Sequence, residues 1–232
     1  MYSKDEIRSY ASFSKILKLL KKDTRFNQYC TQHIIPKGTV ITSETSLKYC
    51  YLVESGYVKY NYTGDEYTKN FHIVPPGKLF NLPILIEEVP KQYTVTALND
   101  VLWWQIDFDY MRKILITEDP KNYIMLNYAL ESRYDLFVLT KKYSLSSEDS
   151  IYFSLLRCVK AGIRTKPNEA QLPAVLTYDL LADFSYTSKT YTSDVLKKLR
   201  EEGILVSSKK PWIITDIKRL RDLLGFDDWW DL

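Results

Sequence analysis

The segment spanning residues 176–204, LTYDLLADFSYTSKTYTSDVLKKLREEGI, constrains the fold more than any other part of the chain. Thr177 can cap a first helix, and residues 185–187 interrupt that helix before a second one begins. The apolar positions of the first helix, which recur at helical spacing, are Leu180, Leu181 and Phe184. The segment therefore predicts two short helices joined by a tight turn, which is a helix-turn-helix.

The second predicted helix, capped by Ser188, has one side suited to burial and one side suited to recognition. The predicted buried residues are Tyr191, Val195, Leu196 and Leu199. The outward residues are Ser188, Lys189, Thr190, Ser193, Asp194 and Lys197. Short polar and basic side chains at the first turns of such a helix can hydrogen-bond base edges, while the free helix amides favour a phosphate. These six residues, together with Thr177, are the predicted contacts to DNA.

A β-hairpin is predicted directly after the second helix. Gly203 ends that helix, and residues 204–206 can pair with residues 212–215 as two short strands. The turn between the strands carries Lys209 and Lys210, which we expect to contact phosphates. The hairpin is therefore the wing of a winged helix-turn-helix.

Local charge favours nucleic acid as the partner of this region. Residues 185–221 contain nine Lys or Arg against four Asp or Glu, so positive charge gathers where a phosphate backbone would pass. Three acidic residues, Asp227, Asp228 and Asp231, come only at the end of the chain. The alternative is an αα-hairpin within an all-helical core, and the Lys-Lys hairpin argues against it.

Length and composition limit the number of domains, the class of partner and the cellular location that the chain can have. At 232 residues the chain has room for two domains, each with its own core. The formal net charge of +3 is too small to indicate nucleic acid by itself, so that argument depends on local clustering. Cys30, Cys50 and Cys158 have no CxxC or iron–sulfur spacing, which favours a reducing cytosol. No apolar run is long enough for an export signal or a membrane span, so we predict a cytoplasmic protein without membrane association.

The first half of the chain predicts a helix followed by a β-domain. Residues 4–22 alternate charged and apolar positions with helical period, which predicts one packing helix that covers the domain after it. Its apolar face is Ile7, Tyr10, Phe13, Ile16, Leu17 and Leu20. From about residue 30 to residue 106, short β-branched and Tyr-rich runs are separated by turn sequences at residues 36–38, 55–56, 63–65 and 75–77. Many short strands bounded by turns predict a β-sandwich or barrel, and a jelly roll fits best.

A long helical run follows, from about residue 120 to residue 142. Its apolar and aromatic residues recur at spacings of three and four, which is typical of a coiled coil. The recurring positions are Tyr123, Leu126 or Asn127, Leu130, Tyr134, Phe137 and Lys141. Such a helix can cover its stripe against the β-domain alone or against a second copy of the chain. We predict the second arrangement, with Tyr123, Leu126, Leu130, Tyr134 and Phe137 as dimerisation residues.

Residues 144–147 break this helix and start the C-terminal part. Ser146 can cap the next helix, and Glu148 and Asp149 in its first turn suit the helix dipole. The apolar residues expected to pack beneath the helix-turn-helix are Ile151, Phe153, Leu155, Leu156, Val159 and Ile163. We therefore predict a sensor-like β-roll domain with the N-terminal helix over residues 1–118, a dimerisation helix over 119–143 and a DNA-binding domain over 144–232.

This order of parts resembles the Crp/Fnr family of transcription regulators over nearly the whole chain. The resemblance implies an α+β fold with an N-terminal jelly roll like a cyclic-nucleotide-binding domain, a long dimerisation helix and a C-terminal winged helix-turn-helix. Ser188, Lys189 and Asp194 stand where the family usually has Ser, Arg and Arg, and Thr190 replaces the usual Glu. Because Lys lacks the planar fork of Arg and Asp194 reverses a charge, we expect an operator that differs from the family's common half-site.

The chain departs from the cyclic-nucleotide members of the family at their ligand cassette. Where those members have Gly-Glu-Leu and then Arg-Ser, this chain has Phe-Asn-Leu-Pro at residues 80–83 and Lys-Gln-Tyr at residues 91–93. A cyclic phosphate would lack charge compensation, apart from what Lys91 supplies. The chain is more similar to PrfA-like regulators of low-GC Gram-positive bacteria, which implies either a tunnel for a small peptide thiol, glutathione, or no ligand. The candidate effector-pocket residues are Phe71, Lys91, Gln92, Tyr123, Asn127 and Tyr128, and their alternative role is core packing.

Three classes of function follow from these patterns. The leading hypothesis is a sequence-specific DNA-binding homodimer that regulates transcription at a palindromic operator, with RNA polymerase as a further partner. A cupin-like enzyme shares the jelly roll, but it needs clustered His and carboxylate ligands and the sandwich has only His33 and His72. The third class is a ligand-binding or protein-interaction module whose winged helix contacts protein. We therefore predict a regulator with no enzymatic activity, metal or cofactor.

Overall fold

The computed structural model describes residues 2–42, 48–62, 71–82, 93–142, 144–207 and 209–225, excluding the side chains of residues 62, 71 and 139. Packing contacts divide the chain into two compact units, Met1–Phe137 and Val138–Leu232. Antiparallel sheets and helices occur in both units, so the predicted α+β class is confirmed.

The N-terminal segment forms separate short helices where the sequence predicts one helix over residues 4–22. These helices are α1 (Lys4–Tyr10), α2 (Phe13–Leu20) and α3 (Phe26–Tyr29). Ser12 separates α1 from α2 because its backbone is extended, with ψ 151°, and its hydroxyl donates to the Ser9 carbonyl at 2.8 Å. The predicted apolar face persists across the break, since Ile7, Ile16 and Leu20 are buried.

Two four-stranded antiparallel sheets follow in the described part of the first unit. The strands are β1 (Cys30–Ile35), β2 (Val40–Thr42), β3 (Tyr49–Ser55), β4 (Val58–Tyr62), β5 (Phe71–Val74), β6 (Leu79–Phe80), β7 (Tyr93–Ala97) and β8 (Val101–Asp107). One sheet has the order β1-β8-β3-β6 and the other has the order β2-β7-β4-β5. In the first sheet Ile106 pairs with Cys30 on one side and with Cys50 on the other. This is the predicted sandwich of short strands.

Glycine is required at the turn between β3 and β4. Gly56 has φ +83°, and a Cβ atom there would lie 2.5 Å from the Asp100 carbonyl oxygen. The predicted turns at residues 36–38 and 75–77 likewise end in a glycine of positive φ. The predicted turn at residues 63–65 lies outside the described residues.

Aromatic side chains fill the interior between the two sheets. The ring of Tyr51 stacks on Phe80 with centroids 5.1 Å apart, and Tyr60 stacks on Tyr93 at 5.0 Å. Trp103 contacts both Tyr51 and Phe80. All five residues are buried and belong to one cluster that draws on both sheets. This part of the β-domain interior is therefore packed core.

The cysteines are packing residues. All three are buried, and burial raises the pKa of the Cys30 and Cys158 thiols to about 12. Burial also raises the pKa of Cys50. Thiols kept protonated in this way are unreactive. Within the described ranges, no three His, Cys, Asp or Glu side chains are placed to hold a metal ion.

Two helices follow the sandwich, and the second of them continues from the first unit into the second. They are α4 (Phe108–Glu118) and α5 (Tyr123–Lys142). The buried carboxylate of Asp119 starts α5, because it accepts hydrogen bonds from the Tyr123 and Ile124 amides at 3.0 and 2.8 Å. Glu131 pairs with Lys78, and Asp135 lies 3.4 Å from the Nδ1 atom of His72. These contacts attach the N-terminal part of α5 to the β-sandwich.

The second unit combines helices with a four-stranded antiparallel sheet of order β11-β12-β10-β9. Its elements are α6 (Ser147–Ala161), β9 (Ile163–Lys166), β10 (Glu169–Gln171), α7 (Tyr178–Ser185), α8 (Lys189–Glu201), β11 (Leu205–Val206), β12 (Ile213–Ile214) and α9 (Ile217–Asp222). Ser146 caps α6 as predicted, since its hydroxyl accepts from the Asp149 amide at 3.1 Å. Among the described residues, no helix has both the length and the apolar character needed to cross a membrane.

The β9–β10 hairpin corrects one expectation. Ile163, expected beneath the helix-turn-helix, begins the edge strand β9 and is 61% exposed. The other predicted α6 residues, Ile151, Phe153, Leu155, Leu156 and Val159, are buried. Asn168, in the hairpin turn, accepts from the Lys218 amide at 2.8 Å and so connects the hairpin to α9. The Pro-Asn pair at this turn is the sequence signal that indicates the hairpin.

Candidate nucleic-acid interface

Helix α7 begins and ends where the sequence predicts. The Thr177 hydroxyl accepts from the Leu180 amide at 3.0 Å, and the helix ends at Tyr186 in the left-handed conformation, with φ 56° and ψ 38°. The Thr187 amide donates to the Ala182 carbonyl at 3.0 Å, as in a Schellman motif. A bulky residue in this conformation is uncommon, so neighbouring contacts must stabilise the turn.

A buried lysine provides such contacts. Lys142, the last residue of α5, is buried; its ammonium donates to the Phe184 carbonyl and lies 3.8 Å from the centroid of the Tyr186 ring. A cation suits this position because carbonyls at a helix C-terminus and aromatic faces are both electronegative. The pKa of Lys142 is lowered to about 7, chiefly by burial and also by the positive charge of Arg157, while Asp183 opposes the shift. The sequence contains no signal for this role, because a lysine at a helix end is usually solvated.

Helix α8 buries the predicted side with one correction. Val195, Leu196 and Leu199 are buried as expected. Tyr191, which was expected to be buried, is 39% exposed, and Thr192 is buried in its place. The Thr192 hydroxyl hydrogen-bonds with the Thr187 hydroxyl at 2.8 Å, so its burial leaves that polar atom paired. The Ser188 hydroxyl caps α8 by accepting from the Tyr191 amide at 3.1 Å, as predicted.

The opposite side of α8 is exposed and polar. Its exposed residues include all six predicted recognition residues, Ser188, Lys189, Thr190, Ser193, Asp194 and Lys197. Tyr191 extends this surface at the first turns of the helix. Thr177 is half-buried and its oxygen already accepts the capping bond, so its O–H group is what remains to donate to a phosphate.

Ion pairs organise the charges around α8. Lys189 lies 3.0 Å from the Asp179 carboxylate, which belongs to the first turn of α7. Lys198 donates to Glu148 of α6 at 2.8 Å and so joins α8 to the helix beneath it. Sequence reasoning missed Asp179, because ten residues separate it from Lys189 and only the turn brings them together.

The wing forms as predicted and is attached to the first helix of the motif. Strands β11 and β12 pair antiparallel, and Lys209 and Lys210 are exposed in the segment between them. Trp212 is buried at the base of the wing, where its ring meets the ring of Tyr178 with centroids 5.0 Å apart. The exposed lysines of the wing therefore lie next to a buried base that packs against α7.

Comparison with known proteins agrees with this architecture. Residues 32–118 match the family model of the cyclic nucleotide-binding domain. A cyclic nucleotide-binding domain containing protein from Listeria monocytogenes EGD-e is 22% identical, with a TM-score of 0.72 over 87% of this chain and 96% of that one. A transcriptional regulator of the CRP/FNR family from Thermus thermophilus is 17% identical, with a TM-score of 0.59 over 84% of this chain and 99% of that one. The protein has the Crp/Fnr fold.

A third solved structure supports the same conclusion. A variant of CooA from Carboxydothermus hydrogenoformans is 16% identical, with a TM-score of 0.68 over 90% of this chain and 95% of that one. These matches cover nearly the whole length of each protein, so they include both compact units. The resemblance that the sequence indicates is therefore confirmed at the level of the fold.

In this Crp/Fnr fold, α5 holds the residues predicted to dimerise. Tyr123 is buried within its own chain, because its ring packs against Tyr2 and Tyr10 with centroids 5.4 and 5.2 Å away. It is therefore not available to a second copy. Leu130 is 43% exposed, and Leu136, which was not predicted, is 66% exposed. The remaining predicted residues, Leu126, Tyr134 and Phe137, are half-buried.

The candidate effector-pocket residues are only partly described. Lys91, Gln92 and the side chain of Phe71 lie outside the described residues. The Tyr123 hydroxyl donates to Glu6 of α1, and the Tyr128 hydroxyl accepts from the Leu82 amide at 3.2 Å. Asn127 is half-buried. Both tyrosines thus take part in packing within the chain, and the effector pocket stays a prediction.

Proposed function

We propose that the protein is a sequence-specific DNA-binding transcription regulator that acts as a homodimer. The exposed side of α8 carries the proposal: it presents short polar side chains and Lys189 at its first turns, while its other side is buried. In a helix-turn-helix, such a helix enters the major groove and the preceding helix crosses the backbone. Lys209 and Lys210 would add phosphate contacts from the wing, which position the protein without selecting sequence.

Exposed apolar surface on α5 supports the second copy. Leu130 and Leu136 are exposed large side chains of this helix. A row of exposed and half-buried residues, Leu126, Leu130, Arg133, Phe137 and Thr140, recurs at the alternating spacing of a two-stranded coiled coil. A two-fold pair of α5 helices would set the two α8 helices about 34–36 Å apart, one turn of DNA, so the operator is a palindrome. RNA polymerase is the expected further partner, and the cytoplasm is the expected location.

We infer that the β-domain responds to a small effector other than a cyclic nucleotide, or to none. Asn81 stands at the cassette position of the family's ribose-binding carboxylate, and its amide donates to the Tyr49 carbonyl at 2.8 Å. The NH2 group of Asn81 is thus bonded within the chain, and a neutral amide lacks the negative charge with which a carboxylate holds the ribose hydroxyls. Phe80 beside it is part of the aromatic core.

Cyclic AMP and cyclic GMP should therefore show no binding by calorimetry at physiological concentrations. Micromolar binding of either nucleotide with a gain in DNA affinity would mean that Lys91 and Gln92 replace the cassette.

Selection from a random duplex library, followed by titration across salt concentrations, tests the regulator proposal. We expect a palindromic sequence to be enriched, and affinity to fall with salt by a log–log slope of about −0.9 for each phosphate neutralised. A protein-interaction or ligand-binding module with this fold would not bind duplex DNA at all. A dimeric wild type that fails to bind duplex at low salt would contradict the proposal and favour that alternative.

A further inference from the structure

Asp179 and Lys189 bring opposite charges together at the recognition end of the helix-turn-helix. Asp179 is the second residue of α7 and Lys189 is the first residue of α8. The ammonium nitrogen lies 3.0 Å from each of the two carboxylate oxygens. Both side chains nevertheless remain exposed, at 64% and 69%. The charges are therefore paired with each other and still open to a ligand.

This pair is not needed for folding. Exposed ion pairs contribute little to stability, because water screens them and holding two flexible side chains costs entropy. The neighbouring turn is stabilised by other groups, namely the bond between Thr187 and Thr192 and the contacts of Lys142. Asp179 lies in the first turn of α7, where a carboxylate suits the helix dipole. Beside a phosphate backbone, however, a carboxylate opposes binding, so its place at this surface still calls for an explanation.

Complementarity to a base pair supplies that explanation. We propose that Asp179 and Lys189 act as one unit that recognises the major-groove edge of a single G·C pair in each half-site, an inference that rests on the proposed function. Lys is a pure donor and an ionised Asp is a pure acceptor. Guanine presents two neighbouring acceptors, N7 and O6, and its cytosine partner presents the N4 amine beside them. The lysine would donate to guanine while the aspartate accepts from cytosine.

The geometry of the ion pair suits this edge. Guanine O6 and cytosine N4 are themselves hydrogen-bonded, so they lie about 2.9 Å apart. The Nζ and carboxylate oxygens of the protein pair lie 3.0 Å apart, which allows the two pairs to align side by side. A T·A pair also presents an acceptor, thymine O4, beside a donor, adenine N6. It fits less well because a methyl group stands where guanine has its second acceptor N7, so the lysine loses one of its two hydrogen bonds. Asp179 is thus proposed as a specificity-determining residue from α7.

The test is a binding-site selection at one fixed salt concentration with the wild type and the variants Asp179→Asn, Lys189→Ala and Glu201→Gln. Asp179→Asn keeps the size of the side chain and removes the charge. Glu201→Gln is the matched control, because Glu201 faces Lys197 at 3.9 Å near the far end of α8. We expect Asp179→Asn to reduce G·C enrichment roughly tenfold at the same position that Lys189→Ala relaxes. Glu201→Gln should leave every base preference unchanged.

Three outcomes would overturn the inference. Asp179→Asn could tighten binding to all duplexes while keeping every base preference, and Asp179 would then only neutralise Lys189. It could instead change a position that Lys189→Ala leaves intact, and the two residues would not act as one unit. If the wild type itself enriched no sequence, the proposed function would fail, and the inference with it. Enrichment by the wild type therefore separates failure of the inference from failure of the function. Circular dichroism melting confirms that each variant is folded.

Discussion

Helices α5 and α8 bury their side chains in different ways. On α8 the buried side chains, Thr192, Val195, Leu196 and Leu199, form one side, and the opposite side is polar and exposed. On α5 burial is partial around most of the helix, and among its described side chains the large apolar ones that are exposed are Leu130 and Leu136. Polar exposed side chains suit water or DNA, whereas exposed leucines favour contact with another protein surface. The comparison supports the proposal that α8 recognises DNA and that α5 mediates self-association.

The largest expected effect concerns the apolar side of α5. Leu130→Asp combined with Phe137→Asp should convert the dimer to a monomer, because unpaired carboxylates in an apolar interface cost roughly 3 kcal/mol or more, a factor of over about 100 in dissociation constant. Sedimentation velocity at micromolar protein measures this change. Ile116→Asp is the control, since Ile116 is equally apolar and is exposed on α4. A monomeric wild type, or a double variant that remains dimeric, would contradict the assignment of α5.

The next effect concerns the polar side of α8. Lys189→Ala should cost about 1–3 kcal/mol on the preferred operator and relax one base preference in each half-site, because Lys189 lies where a base edge would be contacted. Fluorescence anisotropy with specific and random duplexes measures both quantities. Lys166→Ala removes an exposed lysine from β9 and should leave the preference unchanged. If Lys189→Ala loses equal affinity for specific and random DNA, α8 does not select the sequence.

A further effect, on stability rather than on binding, concerns Lys142 at the end of α5, which contacts the turn before α8. Its pKa is lowered to about 7 in the folded protein, mainly by burial, and is about 10.4 in an unfolded chain. Between these values the unfolded state binds more protons, so the free energy of unfolding rises with pH, by at most about 1.4 kcal/mol per unit. Urea unfolding at neutral and alkaline pH should show this gain in the wild type relative to Lys142→Met. A constant difference between the two proteins would mean that Lys142 titrates normally.

The smallest effect concerns the wing. Changing Lys209 and Lys210 together to Ala should weaken every duplex by a similar factor, because phosphate contacts carry no sequence information. The slope of log affinity against log salt should fall by roughly one to two units per protomer. Lys18→Ala with Lys37→Ala removes two exposed lysines of the β-domain unit and should leave the slope unchanged. A change in base preference in the wing variant would instead assign the wing to base recognition.

Much of the fold could be predicted from short-range patterns. Ser146, Thr177 and Ser188 cap the helices that follow them, because a hydroxyl before a helix satisfies an amide only a few residues away. The strands of the sandwich and the wing were likewise indicated by β-branched runs between turn residues. The break at Ser12 was missed, because the apolar face continues at helical spacing across it and so hides the interruption.

The candidate site likewise combines features that the local sequence predicts with features that only packing between elements creates. The sequence by itself determined which polar side chains α8 exposes, because helical period sets the direction of each side chain relative to its neighbours. Only the tertiary structure decided whether Tyr191 or Thr192 is buried. Adjacent side chains point about 100° apart around a helix, so either one can face the core. The hydrogen bond between Thr187 and Thr192 selects Thr192. The pairing of Lys189 with Asp179 and the burial of Lys142 likewise join residues that are distant in sequence. No local pattern contains such pairs, because packing between elements creates them.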